Sequence, residues 1–249
     1  MIAHSITVAK EQGPRGHQED RNCIMYLMPP NLEGCLLAVM DGHRGSEVAE
    51  ICAREIEKLF APKDSEHVEQ ALRDLVVALN ELTYNLEAGS TLSLACVFKD
   101  VGDHMKVSTA VLGDSPVVVL DNQGELHISP EHNVRSNLPE REAAERRGGV
   151  YKDGYLRNRE GTAGLQMSRA LGDANLGAVL SREPDVTTIP DPIWVLVASD
   201  GLIDPGHGQL EVLFQEIAKH AKARANASDL MEWVRSRGLQ DNVTVLVWQ

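Results

Sequence analysis

Four acidic sites, each set at the end of an apolar run, constrain this chain more than any other feature. Val39-Met40 runs into Asp41-Gly42-His43, with a helical pattern just beyond, and Asp200 closes the apolar run 194–199. Glu19-Asp20 opens the run 22–28, and Asp241 stands immediately before the run 243–248. An apolar strand that delivers a carboxylate to the rim of a sheet fixes it rigidly, which is what an acidic metal ligand needs. Carboxylates placed this way and so far apart in sequence point to one polyvalent metal centre.

Alternating or continuous apolar patterns predict strands at 5–10, 22–28, 35–40, 92–99, 105–112, 117–120, 125–128, 186–189, 194–199 and 243–248. Helical spacing predicts helices over 46–60, capped by Ser46, and over 65–87, 209–224 and 228–237. Short turn signals at 101–103, 113–116 and 121–124 make 92–128 read as an antiparallel meander. Strands in blocks with helices in pairs predict an α+β layer sandwich, and the length of 249 residues suits a single domain spanning 1–249.

One segment, 131–162, breaks that rhythm. It is polar and arginine-rich, with a short helix over 139–147 for which Asn137 is the cap, Glu140 follows three residues later, and Gly148 is the stop. A small hairpin over 151–155 follows. The segment reads either as a flap over a site or as a plain surface excursion.

Charge narrows the function. With 24 basic and 37 acidic residues the net charge is -13, which argues against nucleic acid or an anionic membrane as partner. No apolar run approaches the ~18 residues of a membrane span, and the N-terminal residues lack a signal-peptide core. A soluble, cytoplasmic protein is the expectation. Cys23, Cys35, Cys52 and Cys96 show no CxxC pairing and read as reduced, buried small hydrophobes. Without a Cys/His cluster or HExxH, zinc is disfavoured, and oxygen ligands suit Mg²⁺ or Mn²⁺.

Asp-Gly alone is a weak signal, because it is also a common turn pair. Asp103, Asp121, Asp153 and Asp173 read as turn or cap residues, and the histidines other than His43, such as His17, His132 and His207, as surface or core residues. The joint pattern carries more. Arg15-Gly-His-Gln-Glu19-Asp20, Val39-Met-Asp41-Gly42-His43-Arg-Gly45, Gly89-Ser-Thr91, Leu112-Gly-Asp114-Ser115, Met167-Ser-Arg-Ala-Leu-Gly-Asp173, Ala198-Ser-Asp200-Gly-Leu-Ile-Asp204 and Asp241-Asn-Val-Thr-Val245 follow in order from Ser5 to the C-terminus. This ordered set resembles the metal-dependent protein phosphatases of the type 2C serine/threonine class.

The resemblance implies a four-layer α-β-β-α sandwich of two antiparallel sheets flanked by helix pairs, with two Mg²⁺ or Mn²⁺ ions at one end. Carried over by position, Asp41 would bridge both ions, Asp200 and Asp241 would complete the first, and Glu19 with the carbonyl of Gly42 the second. Asp20 would hold metal-bound waters, and Asp114, with Asp200, a weaker third ion. A hydroxide bridging the metals would attack phosphoserine or phosphothreonine, Arg15 would clamp the phosphate, and His43 would protonate the leaving oxygen. Phosphorylated protein would be the partner of a monomeric enzyme.

Three positions depart from the family's usual pattern. Pro116 stands where an arginine is common, Leu202-Ile203 where the second residue is often tryptophan, and Leu92 where alanine is usual. None of these changes removes an implied ligand. A catalytically silent module with this fold is the alternative, against which the complete ligand set argues. A metal-dependent nuclease would need a basic groove that the net charge disfavours.

Overall fold

The computed structural model describes residues 4–203 and 210–249. Expectations for Asp204, for His207 and for a helix start at Gln209 lie outside the described residues. Two five-stranded antiparallel sheets form the centre. One runs β1 (Ile6–Glu11), β16 (Val243–Trp248), β15 (Pro192–Ala198), β8 (Val117–Asp121), β9 (Leu126–Ile128). The other runs β14 (Asp185–Pro190), β7 (Met105–Leu112), β6 (Leu92–Lys99), β3 (Gly34–Met40), β2 (Arg21–Leu27).

Side chains alternate across a strand, so each central strand serves two cores. In β3, Leu36, Ala38 and Met40 pack outward against Val48, Cys52 and Ile56 of α1 (Glu47–Leu59) and Leu72, Leu75 and Leu79 of α2 (Val68–Thr83). Cys35, Leu37 and Val39 point the other way and meet Val195, Val197, Leu246 and Trp248 of the opposing sheet. Val243, Val245 and Val247 of β16 in turn pack against Leu213 and Ile217 of α4 (Leu210–Lys222) and Leu230 and Val234 of α5 (Ala227–Arg237). The result is the expected α+β sandwich: helix pair, sheet, sheet, helix pair.

Several local expectations change. The meander is broken at 113–116: β7 and β8 lie in different sheets, and the Gly113-Asp114-Ser115-Pro116 turn carries the chain between them. β8 lies between β15 and β9, and β7 between β6 and β14, so both neighbours of each strand are taken. Ser46 makes no cap bond; its hydroxyl donates to Glu50 Oε1 at 2.8 Å instead. The second helix starts with a 3₁₀ turn, Ser65–His67, whose cap is Asp64, and its α part ends at Thr83 rather than continuing to 87. The carbonyls of Leu86 and Ala88 accept the N–H groups of Ala174 and Asp173, both at 2.9 Å, which draws the chain off the helical path.

Two small sheets complete the chain. β4 (Gly42–His43), β5 (Gly89–Ser90) and β13 (Leu171–Gly172) pair in the order β13-β5-β4. β10 (Val150–Lys152), β11 (Tyr155–Arg157) and β12 (Gly164–Leu165) pair in sequence order beside α3 (Leu138–Arg146). This excursion has its own core, including Val134, Ala144, Leu156, Met167 and Leu176. Asn137 caps α3 through the Glu140 N–H as predicted, but Glu140 does not complete a capping box; its carboxylate accepts from Arg169 and Ser168. All four cysteines are free and buried, with the Cys35 thiol pushed up to about 12 chiefly by burial. Among the described residues, no helix is long and apolar enough to cross a membrane.

Candidate active site

β2 and β16 begin, and β3 and β15 end, at the same end of the sandwich, because Arg21 pairs with Met40 and Ala198 with Val245. The residues flanking these strand ends open into a cleft of about 350 Å³. Arg15, Glu19, Asp41, Gly42, His43, Asp114, Asp200 and Asp241 all line it. The remaining predicted residue, Asp20, is fully buried behind it. Tyr155, Leu165, Gln166 and Met167 from the 131–167 region form part of the wall.

Backbone bracing holds these carboxylates. Thr91 Oγ1 accepts the Asp41 N–H at 3.0 Å, the Thr91 N–H returns to the Asp41 carbonyl at 2.9 Å, and Ser90 Oγ donates to the same carbonyl at 3.1 Å. The Glu19 side chain accepts the Gly45 N–H at 2.6 Å. At Gly42 a Cβ would sit 2.6 Å from the Glu19 carbonyl oxygen, so only glycine lets the two segments meet. Asp20 Oδ2 accepts from Ser199 Oγ at 2.9 Å and Thr244 Oγ1 at 2.8 Å, tying the start of β2 to the opposite sheet.

The cleft crowds negative charge. Burial, followed by the neighbouring Asp20, Asp200 and Asp114, holds the Asp41 carboxyl well above the usual carboxylate range. Burial also raises Asp20, despite its two hydroxyl donors, and raises Asp241, where Arg15 only partly offsets it. Asp20 Oδ1 is buried with no hydrogen-bond partner among the described residues. Crowded oxygen donors with destabilised charge and an orphaned carboxylate oxygen are the environment that hard divalent cations relieve. The donor set therefore fits Mg²⁺ or Mn²⁺. A second acidic group, Asp121, Glu125 and His127, has donor atoms within 4.8 Å of one another. There Asp121 Oδ1 already accepts the N–H groups of Gln123 and Glu125, both at 2.9 Å, which makes it the turn residue the sequence predicts.

The remaining groups show what sequence reasoning missed. Arg15 reaches across the cleft mouth and donates to Asp241 Oδ2. Asp114 accepts from Asn133 Nδ2 at 3.0 Å. Asp173, read from sequence as a turn or cap, does stand at the start of a 3₁₀ turn, but its fully buried carboxylate makes no cap bond and pairs instead with His43 Nε2 at 2.9 Å and with Arg44. Asn242 stands in the sequence only as the residue after Asp241 in its motif, yet its Oδ1 accepts the Glu19 N–H at 2.7 Å. The signal for both lay in the ordered motifs, where Asp173 ends Met167–Asp173 and Asn242 follows Asp241.

The Protein phosphatase 2C family profile matches residues 6–243, and the chain belongs to this family of protein phosphatases. It is 26% identical over 268 residues to Protein phosphatase 1L of Bos taurus, covering 98% of this chain and 72% of that protein. It is 25% identical to Protein phosphatase 2C homolog 1 of Saccharomyces cerevisiae, covering 99% and 93% of the two chains. The fold is shared with a serine-threonine phosphatase 2C from Toxoplasma gondii at a TM-score of 0.73 and 21% identity, over 99% of this chain and 95% of that one.

Proposed function

We propose that this cleft removes phosphate from phosphoserine and phosphothreonine in proteins with the aid of two divalent cations, Mg²⁺ or Mn²⁺. The observation that carries this reading is the convergence of Glu19, Asp41, Asp200 and Asp241 from four strand ends into one cleft. Asp41, Asp200 and Asp241 would hold one ion, and Asp41, Glu19 and the Gly42 carbonyl the other, with Asp114 and Asp200 available to a weaker third. Asp20 behind them would hold their water ligands. When bound, the ions supply Lewis acidity and the activation of a water for in-line attack on phosphorus.

The chain's own side chains do the rest. Arg15 is half exposed at the cleft mouth, and its planar fork can turn from Asp241 to two phosphate oxygens. His43, on the cleft wall, gives a proton to the departing serine or threonine oxygen, a leaving group too basic to depart well unaided. The excursion 131–162 acts as a flap, with Tyr155 on the wall against which the substrate chain would lie.

A panel of substrates tests the reading. With Mn²⁺ present, phosphoserine and phosphothreonine peptides should turn over while single-stranded DNA does not. Metal binding without turnover of any phosphopeptide would instead mark the chain as a silent module of the same fold.

A further inference from the structure

We propose that Asp173 is a positioning residue for His43, holding the imidazole through Nε2 and leaving Nδ1 as the nitrogen that serves the cleft. This rests on the phosphatase reading above. The contact is bidentate in reach: His43 Nε2 lies 2.9 Å from Asp173 Oδ2 and 3.0 Å from Oδ1. Arg44 Nη2 donates to Oδ1 as well, so one buried carboxylate grips two successive side chains of the turn after Asp41.

The surrounding backbone is built for this contact. In the small sheet β13-β5-β4, His43 pairs with Gly89 on one side and Gly172 pairs with Gly89 on the other. His43 and Asp173 therefore reach toward each other over the middle strand, and the residue between them has no side chain. A Cβ on Gly89 would fall 2.2 Å from both Asp173 Oδ2 and His43 Nε2, in the space the contact occupies. Asp173 and Arg44 adopt left-handed backbone, at φ 54° and 59°, a conformation unfavourable for L residues and needed here to turn both side chains to one point. Arg182 donates to the carbonyls of Ala170 and Gly172 and fixes the turn from which Asp173 projects.

The chemistry follows from the two ring nitrogens. A carboxylate facing Nε2 accepts a hydrogen bond from Nε2–H, so Nε2–H is the held tautomer. When the phosphorus–oxygen bond breaks, its electron pair goes to the serine or threonine oxygen. That oxygen takes the proton from Nδ1 of the imidazolium, and the neutral ring keeps the proton on Nε2. Asp173 thus decides which nitrogen faces the substrate without touching it.

The test uses the full chain with saturating Mn²⁺, as wild type, Asp173→Asn, His43→Ala and the double variant, on a phosphoserine peptide and on p-nitrophenyl phosphate. Asparagine preserves shape but accepts or donates, so it permits the wrong tautomer. Asp173→Asn should lower kcat on the phosphopeptide by about ten- to a hundredfold, with KM within about twofold. Turnover of p-nitrophenyl phosphate, whose leaving group needs no proton, should stay within about twofold. The double variant should be no slower than His43→Ala alone. Equal losses on both substrates, or losses that multiply in the double variant, would overturn the proposal. Should Asp173→Asn not fold, nitrogen-15 NMR of His43 in the wild type decides the matter: a neutral Nε2–H ring supports the assignment and an Nδ1–H ring refutes it. Failure of the wild type to turn over phosphopeptide would count against the phosphatase reading, while the ring tautomer would still judge the Asp173 contact.

Discussion

The side-chain oxygen of Asn242 accepts the backbone N–H of Glu19 at 2.7 Å, while the same amide donates to the carbonyls of Gln12 at 2.7 Å and His17 at 3.0 Å. One buried side chain thus fastens the 12–19 loop, with its metal-ligand candidate, to the start of the last strand. Asn242→Asp turns the two donors into an acceptor facing two carbonyls. It should lower stability by about 1–3 kcal/mol in urea denaturation. It should also weaken Mn²⁺ binding measured by calorimetry.

Gly42→Ala tests the close approach of the two ligand-bearing segments. The added methyl would press on the Glu19 carbonyl and push the turn away from Glu19. Metal affinity should fall by about ten- to a hundredfold, the range seen when the groups that orient ligands are disturbed. Calorimetric titration with Mn²⁺ checks it, and unchanged affinity would mean that Gly42 does not set the spacing.

The raised Asp41 carboxyl has a signature in pH. Its folded value lies above its unfolded one, so the folded state binds the extra proton and gains stability below the ordinary carboxylate range. That contribution is lost as pH rises through the raised folded value. Metal-free protein should therefore melt at progressively lower temperature as pH climbs from about 4 toward neutrality. Asp41→Asn should flatten this slope, and thermal melts in chelator measure it.

Glu140 acts in the opposite sense. Burial alone would raise its carboxyl, but donation from Arg169 and Ser168 overcomes this and holds it at about 2. Its stabilising contribution is complete above the unfolded value of about 4.3 and disappears as pH falls through the folded value. Glu140→Gln should lower stability at neutral pH by about 1–3 kcal/mol and weaken the acid dependence below pH ~4, read by urea denaturation at several pH values.

Much of this was legible in the sequence because it is written locally. The runs before Asp41 and Asp200 and after Asp241 show where strands meet the rim, and the nearly unbroken apolar character of β3 and β16 shows that both faces are covered. What stayed hidden depends on contacts between distant segments. The crossing of 113–116 from one sheet to the other looks like any tight turn until the partners of β7 and β8 are known. The early end of α2 follows from Asp173 and Ala174 bonding to Leu86 and Ala88, and no helical periodicity reports that. Asp173 itself has the composition of a cap, and only the three-stranded arrangement around Gly89 shows its carboxylate meeting His43.

Phosphate release from a phosphoserine peptide, followed as Mn²⁺ is added back to chelator-stripped protein, tests the central claim most directly. Wild type should be inactive without metal and regain turnover with saturable dependence on Mn²⁺, while folded Asp41→Asn stays inactive at the same concentrations. Full turnover in the stripped protein, or undiminished turnover in Asp41→Asn, would contradict the assignment of the converging carboxylates as the metal centre.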